Sequence, residues 1–298
     1  MSPTVGELLT AARRRLLAAP FEPSTREAAL LLGAALGLSE AQLLARDRDP
    51  VPEAPARRFG ELLERRLSGE PVAYLLGRRE FYGRDFRVDP RVLIPRPESE
   101  HLVEVALGLS LPPAPRILDL GAGSGCLAVT LAAELPCARV VATDRSLGAL
   151  AVAAANARHH GVAGRLALIA ADWRRGLRVQ GFDLLVSNPP YVDPRQRPEL
   201  SPEVAEHEPA TALFAAGRGL AAYRQLLEQT RDAADGTPFL LEIGAGQLAD
   251  VAALAATLGW PLQGAETDYA GIPRVAVLRR RPPPAAGRES PPRDRRRP

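Results

Sequence analysis

The sequence predicts an α/β protein of Rossmann-like type: a doubly wound, mostly parallel sheet behind a small all-helical N-terminal domain. Three observations predict it. From Arg116 onward, apolar runs of strand length alternate with segments of helix length, the pattern of parallel strands joined by helical crossovers. Residues 1–70 instead carry three capping boxes and helically spaced leucines. A glycine-rich turn, residues 121–125, directly follows the first apolar run of the alternating part, where such sheets take their ligands.

In the helical part the boxes are Thr4-x-x-Glu7, Ser24-x-x-Glu27 and Ser39-x-x-Gln42, each able to satisfy the orphan N–H groups of a helix start. Leu8, Leu9, Ala12, Leu16 and Leu17 follow the period of the first helix, and Pro20, Pro23, Pro50, Pro52 and Pro55 punctuate between helices. A last helix is expected over 57–67, ending at Ser68-Gly69. No catalytic cluster stands out, so residues 1–70 read as a helical bundle for packing or substrate recognition.

Residues 71–112 change character. Tyr74, Phe81, Tyr82 and Phe86 are interspersed with Gly77 and Gly83 and followed by Ile94-Pro95-Arg96-Pro97-Glu98-Ser99-Glu100. This reads as a β-hairpin or extended linker running into a helix from about Glu98 to Leu109. Within 113–280, strands are expected at 117–120, 140–143, 166–170, 182–187 and 239–243, with helices at 126–134, 147–159, 220–234 and 247–258. Two further strands, 262–267 and 274–278, are separated by a stretch too short for a helical crossover, so a closing hairpin and an antiparallel last strand are expected. Residues 281–298 read as an Arg/Pro-rich disordered tail.

Composition excludes several classes. At 298 residues, 46% hydrophobic and 24% charged, the chain is an ordinary globular protein with room for two modest domains, and no apolar run is long enough for a membrane span. Cys126 and Cys137 are too few for a disulfide framework or a cysteine zinc site. The four histidines include no i, i+4 pair, so no metal is expected. The N-terminus lacks the apolar core of a secretory signal, and with two unpaired cysteines the expected compartment is the cytoplasm. All 38 basic residues are Arg, and eight of them lie in the last twenty residues beside only two acids. The first 278 residues therefore hold 30 basic against 33 acidic groups, a net charge of −3. A folded nucleic-acid-binding face would need the opposite balance. Contact between the tail and RNA has no support beyond charge; a solvated, dispensable extension is the better reading.

The first motif is Asp119-Leu120-Gly121-Ala122-Gly123-Ser124-Gly125. Alternate glycines let the backbone turn sharply and approach a ligand without Cβ interference. The next strand ends in Asp144, 23 residues after Gly121, placed to accept both hydroxyls of a ribose. Asp172-Trp173 follows the third strand, offering an acceptor for an exocyclic adenine amine and a stacking face. The spacing G-x-G-x-G differs from the dinucleotide fingerprint, and S-adenosylmethionine fits better than NAD.

The second motif, Asn188-Pro189-Pro190-Tyr191, ends the fourth strand. Asn188 precedes a proline and is pushed into an extended conformation. Pro189 and Pro190 stiffen the loop and present carbonyls without N–H groups. The Asn188 side-chain oxygen and the Pro189 carbonyl form an acceptor pair for the two hydrogens of a planar NH₂, and Tyr191 can cover the planar group. Such a nitrogen is a poor nucleophile, so alignment must supply much of the rate and no strong base is required. This is the chemistry of methylating an amide or an exocyclic amine.

These residues resemble the bacterial peptide chain release factor glutamine N5-methyltransferases. The tetrad is shared with adenine-N6 enzymes, so other segments decide. They are Gly69-Glu70-Pro71-x-Ala73-Tyr74-x-x-Gly77 with Glu80-Phe81-Tyr82-Gly83, the stretch Ile94–Glu100, Glu208-Pro209-x-x-Ala212-Leu213 with Gly219-Leu220, and Asp268-x-x-Gly271 with Arg274-Val275. Ala122 and Ser99 each stand where Thr is usual, and Ile272-Pro273 departs from the pattern of the closing hairpin. The resemblance implies a helical bundle joined to a seven-stranded class I S-adenosylmethionine-dependent methyltransferase domain. It also implies transfer to the glutamine of the Gly-Gly-Gln loop in class I release factors, with S-adenosylhomocysteine as product. By that resemblance Gly121, Ala122, Gly123, Ser124, Gly125, Asp144, Trp173 and Asn188 bind the cofactor, and Asn188, Pro189, Pro190 and Tyr191 bind the glutamine. Asn188 and Pro189 are the expected catalytic pair, and Arg96, Glu98 and Glu100 are read as braces of the domain junction. The alternatives are an amino methyltransferase acting on adenine N6 or guanine N2, and a non-enzymatic cofactor-binding adaptor. The charge of the body argues against the first and the intact acceptor pair against the second.

Overall fold

The computed structural model describes residues 2–21, 23–173 and 178–281. Five helices come first: α1 (Val5–Leu17), α2 (Glu27–Leu36), α3 (Glu40–Ala45), α4 (Glu53–Leu67) and α5 (Val72–Leu76). The boxes at Thr4 and Ser39 close from both sides. The box at Ser24 closes by half. Glu27 accepts from the Ser24 N–H at 3.0 Å, but Ser24 Oγ takes the Arg26 N–H and α2 starts only at Glu27. Both carboxylate oxygens of Glu27 are also drawn inward to Arg66. Helix α4 begins four residues before the expected start, because Pro55 falls in its first turn, where a missing N–H costs nothing. Leu9, Leu16, Leu31, Leu32, Phe59 and Leu63 close the core of this layer.

Arg66 sits in that core at 1% exposure. Its Nε donates to Glu27 at 2.7 Å, its guanidinium lies 4.0 Å over the Phe21 ring, and its NH1 reaches Glu203, 3.1 Å away in the following domain. One buried cation thus joins the helical layer to a distant segment.

The expected hairpin is β1 (Arg78–Phe81) and β2 (Arg84–Arg87), turned at Tyr82-Gly83 with φ of 52° and 68°. Positive φ at both central residues matches the twist of the strands. Helix α5 before it is a correction: five residues are too few to show a helical period. A 3-10 turn, Pro97–Ser99, then leads into α6 (Glu100–Gly108), so the helix expected from Glu98 opens with a tighter turn.

The remaining chain runs β3 (Arg116–Leu120), α7 (Cys126–Glu134), β4 (Arg139–Asp144), α8 (Leu147–His159), β5 (Leu166–Ala170) and β6 (Leu184–Ser187). After a 3-10 segment, Pro194–Glu199, follow α9 (Pro202–His207), α10 (Ala210–Leu213), α11 (Ala221–Gln229), β7 (Pro238–Glu242), α12 (Leu248–Thr257), β8 (Leu262–Thr267) and β9 (Pro273–Arg279). They build a seven-stranded sheet in the order β5-β4-β3-β6-β7-β9-β8. All pairings are parallel except those of β9, which runs antiparallel between β7 and β8. The closing hairpin forms despite Ile272-Pro273: Asp268 caps the Ala270 and Ile272 N–H groups and pairs with Arg274 at 2.8 Å. The fourth strand is shorter than expected, starting at Leu184, and α11 ends at Gln229 rather than at 234.

Helices α6, α7 and α8 cover one face through Leu102, Ala128, Leu131 and Ala157. Helices α11 and α12 cover the other through Tyr223, Leu226, Val251 and Leu254. The strands buried between them are apolar on both sides, as parallel strands must be. The strand order reverses between β3 and β6, the kind of switch point at which open α/β sheets bind ligands.

The described chain ends at Arg281, whose N–H donates to the Gly259 carbonyl at 2.9 Å. Arg281 therefore belongs with the sheet, and the rest of the expected tail lies outside the described residues. Removing residues 282–298, which hold no large apolar side chain, should change stability by less than about 0.5 kcal/mol in a urea titration. A larger fall would mean that this segment docks on the fold.

Candidate active site

The C-terminal ends of β3, β4, β5 and β6 open on one cavity of about 690 Å³. Its floor is the glycine loop after β3. Gly121 and Ala122 both donate to the Thr143 carbonyl, at 2.9 and 2.8 Å, which holds the loop against the tip of β4. Gly121 has φ of 95°, and a Cβ there would lie 3.0 Å from the Trp173 ring. Only glycine satisfies both the turn and the indole.

Gly121, Ala122, Gly123, Ser124, Asp144, Asp172, Trp173, Asn188 and Pro190 all line the cavity. Asp144 accepts from the Gly123 N–H at 3.0 Å and from the Ser146 N–H at 2.8 Å, so its carboxylate is locked at the rim by the loop it faces. Trp173 is held in place by its Nε1, which donates to Gln225 at 3.2 Å. Gly125, Pro189 and Tyr191 stand off the wall. Gly125 caps α7, where a Cβ would press against Ala153. Pro189 is buried behind Asn188, and Tyr191 packs into the core beneath the loop.

Two buried groups under the glycine loop have no hydrogen-bond partner: the Ser124 hydroxyl, on the cavity wall, and the Asp119 carboxylate below it. Burial, and then the charge of Asp144, pushes the Asp119 carboxyl up to about 7. Of the two, only Ser124 lines the cavity and is placed to meet a ligand.

The acceptor loop after β6 is gripped from three sides. Asn188 Nδ2 donates to Ser99 Oγ at 3.0 Å, and Ser99 Oγ donates to Glu242 Oε2 at 2.5 Å. The Tyr191 hydroxyl donates to the other oxygen of Glu242 at 3.4 Å. Glu242 ends β7 at 1% exposure, and burial pushes its carboxyl up to about 7, against the opposing pull of the Ser99 hydroxyl. From behind, Gln247 Nε2 donates to the Tyr191 and Arg218 carbonyls at 3.1 and 3.3 Å, while its Oε1 accepts from the Gly244 N–H and the Tyr223 hydroxyl. Gly219, at φ of 82°, lets the chain pass this point; a Cβ there would collide with the Tyr191 carbonyl.

The two side walls, 90–99 and 209–216, are clasped together. Glu208 accepts from Arg96 at 2.5 Å and from the Ile94 N–H at 3.1 Å. Glu100 accepts from the Tyr82 N–H at 2.9 Å, tying the hairpin to α6. Reading the sequence alone missed Glu242 and Gln247, and it noted Ser99 and Glu208 only within stretches of family resemblance, without a role. The one local signal was the lone acid ending the apolar run of β7. Among the described residues, no group of three or more His, Cys, Asp or Glu gathers to hold a metal, and no helix is long and apolar enough to cross a membrane.

Residues 7–77 match the family profile of the PrmC N-terminal domain, and residues 100–218 match that of the methyltransferase small domain. A methyltransferase from Pyrococcus furiosus shares the fold at a TM-score of 0.50 and 16% identity, over 74% of this chain and 98% of that one. A glycine loop and an acceptor loop on either side of the switch in strand order, over such a sheet, mark a class I methyltransferase, an enzyme class whose methyl donor is S-adenosylmethionine. The release factor glutamine methyltransferase of Bradyrhizobium diazoefficiens is 40% identical over 94% of this chain and 98% of its own length. That of Nitratidesulfovibrio vulgaris is 43% identical over 93% and 95%. The chain belongs to the release factor glutamine methyltransferase family.

Proposed function

We propose that this protein transfers the methyl group of S-adenosylmethionine to the side-chain amide nitrogen of the Gly-Gly-Gln glutamine in class I peptide chain release factors, and does so in the cytoplasm. The observation that carries the reading is the acceptor pair beside the glycine loop. Among the described residues nothing donates to Asn188 Oδ1 or to the Pro189 carbonyl; Asn188 lines the cavity, and the Pro189 carbonyl, next along the chain, would complete the pair for an incoming NH₂.

The cavity fits the donor. Its volume is within the range of roughly 300–1,000 Å³ usual for small-molecule sites. Gly121, Gly123 and Ser124 would face the methionine part, Asp144 the ribose, and Asp172 and Trp173 the adenine; the unpartnered Ser124 hydroxyl is the kind of group such a ligand satisfies. When bound, S-adenosylmethionine supplies an electrophilic sulfonium methyl. The residues of this chain do the rest by alignment. Asn188 and Pro189 hold the two amide hydrogens, which aims the nitrogen lone pair along one line. Pro189 and Pro190 keep the loop stiff, and the Arg96–Glu208 clasp keeps the walls at a fixed separation.

Asp144→Ala should weaken S-adenosylmethionine binding about tenfold or more by calorimetry, because a hydrogen bond to a charged group contributes about 1.5–3 kcal/mol. Unchanged affinity would remove Asp144 from the site. The acceptor is tested by offering labelled S-adenosylmethionine with release factor, DNA or RNA in separate reactions. Label in the release factor is expected; label in nucleic acid would favour a base methyltransferase, and none would favour an adaptor.

A further inference from the structure

The Asn188 carboxamide has two ends of nearly equal shape and opposite chemistry. With its oxygen toward the substrate it accepts from an NH₂; with its nitrogen there, it would repel one. In this structure the choice is made by residues far away in sequence. Ser99 Oγ receives Asn188 Nδ2, 89 residues on, and donates to Glu242, 143 residues on. Ser99 is 2% exposed and Glu242 1%. In its ionised form the Glu242 carboxylate only accepts, and in that form it holds the serine hydrogen toward Glu242 and leaves the Ser99 lone pair to Asn188, the arrangement seen here. Glu242 also accepts from the Tyr191 hydroxyl, which engages its second oxygen.

We propose that Ser99 and Glu242 are positioning residues that fix the Asn188 side chain with Oδ1 toward the cleft, and so make the site accept an amide NH₂ rather than a group that itself accepts. The inference rests on the functional reading above for what occupies the cleft. The hydrogen-bond direction itself stands on Ser99, Glu242 and Asn188 alone. Glutamine has only one acceptor oxygen, so Glu242→Gln can serve Ser99 or Tyr191 but not both. Ser99→Ala removes the hydroxyl outright, and Ser99→Thr keeps it.

The test is a comparison of S99A, S99T and E242Q in methyl transfer to release factor, with cofactor binding by calorimetry and the Asn188 side-chain NH₂ signals in ¹⁵N spectra, assigned by their loss in N188A. In S99A kcat should fall at least about tenfold, with the S-adenosylmethionine Kd within about twofold, and the Asn188 NH₂ signals should lose their hydrogen-bonded shift and exchange faster with water. S99T should recover most of the lost rate and the NH₂ shift, whereas a residue that merely fills space would be served as well by alanine. E242Q should lower kcat in the same direction. Turnover of S99A near that of the intact enzyme, or S99T as impaired as S99A, would overturn the inference. Should the intact enzyme bind cofactor yet transfer no methyl to release factor, the functional reading falls; the relay is then decided by the NH₂ signals, and signals unchanged in S99A would overturn it.

Discussion

Asn188→Ala should lower turnover on release factor by about 100-fold or more while leaving cofactor affinity within a few-fold. The asymmetry follows from geometry. Asn188 lines the cavity, but its hydrogen-bonding capacity is directed elsewhere: Nδ2 is held by Ser99, and among the described residues nothing donates to Oδ1. Truncation removes one of two acceptors for the NH₂ group and frees the amide to rotate off the transfer line. Asn188→Asp refines the test. It keeps an oxygen in place but has no hydrogen for Ser99, and it sets a second carboxylate beside the serine that already serves Glu242. Its charge would also hold a sulfonium more tightly before reaction than during it, which lowers turnover without any loss of position. Activity below that of the intact enzyme but above that of N188A is expected. Near-normal turnover in N188A would reduce the tetrad to a strand-end turn.

The second large effect is on stability. Arg66→Ala should cost about 3–5 kcal/mol in denaturant unfolding, because it leaves Glu27 buried with its principal partner gone. The loss also severs the link to Glu203 and the packing over Phe21. Replacing both members of the pair with apolar residues, as in E27L/R66M, should restore most of the loss, since two buried charges of this kind contribute little net stability beyond their mutual neutralisation. A single-variant cost below about 1 kcal/mol would show that water reaches Glu27 and takes over the role of the arginine.

Much of the sheet was legible because its central strands are apolar on both faces and end at sharp breaks. Helices α7 and α8 fall at the expected residues, 126–134 and 147–159, since glycine before one and serine before the other mark where the strand stops. The short helices between Pro202 and Leu213 were not legible: segments of four to six residues offer no full period, and their place is set by contacts such as Glu208 to Ile94, 114 positions back. The same reason hid half of the site. Asn188 and Asp144 announce themselves through neighbouring residues, a proline pair and a strand end. Ser99 and Glu242 become meaningful only when a helix start and a distant strand are brought within 2.5 Å.

The reversal of strand order between β3 and β6 also partitions inheritance. What would hold the methyl donor hangs from β3, β4 and β5; what steadies the acceptor hangs from β6, β7 and the start of α6. The hydrogen bonds from Trp173 to Gln225 and from the Ser187 hydroxyl to the Leu120 carbonyl cross the divide, where β3 pairs with β6, but the two groups otherwise rest on different strands. Residues far apart and without shared partners contribute nearly independently to stability and binding. Selection can therefore rework the acceptor side, residue by residue, while the donor side keeps its fit. A scaffold divided in this way can acquire a new target without having to rediscover its source of methyl groups.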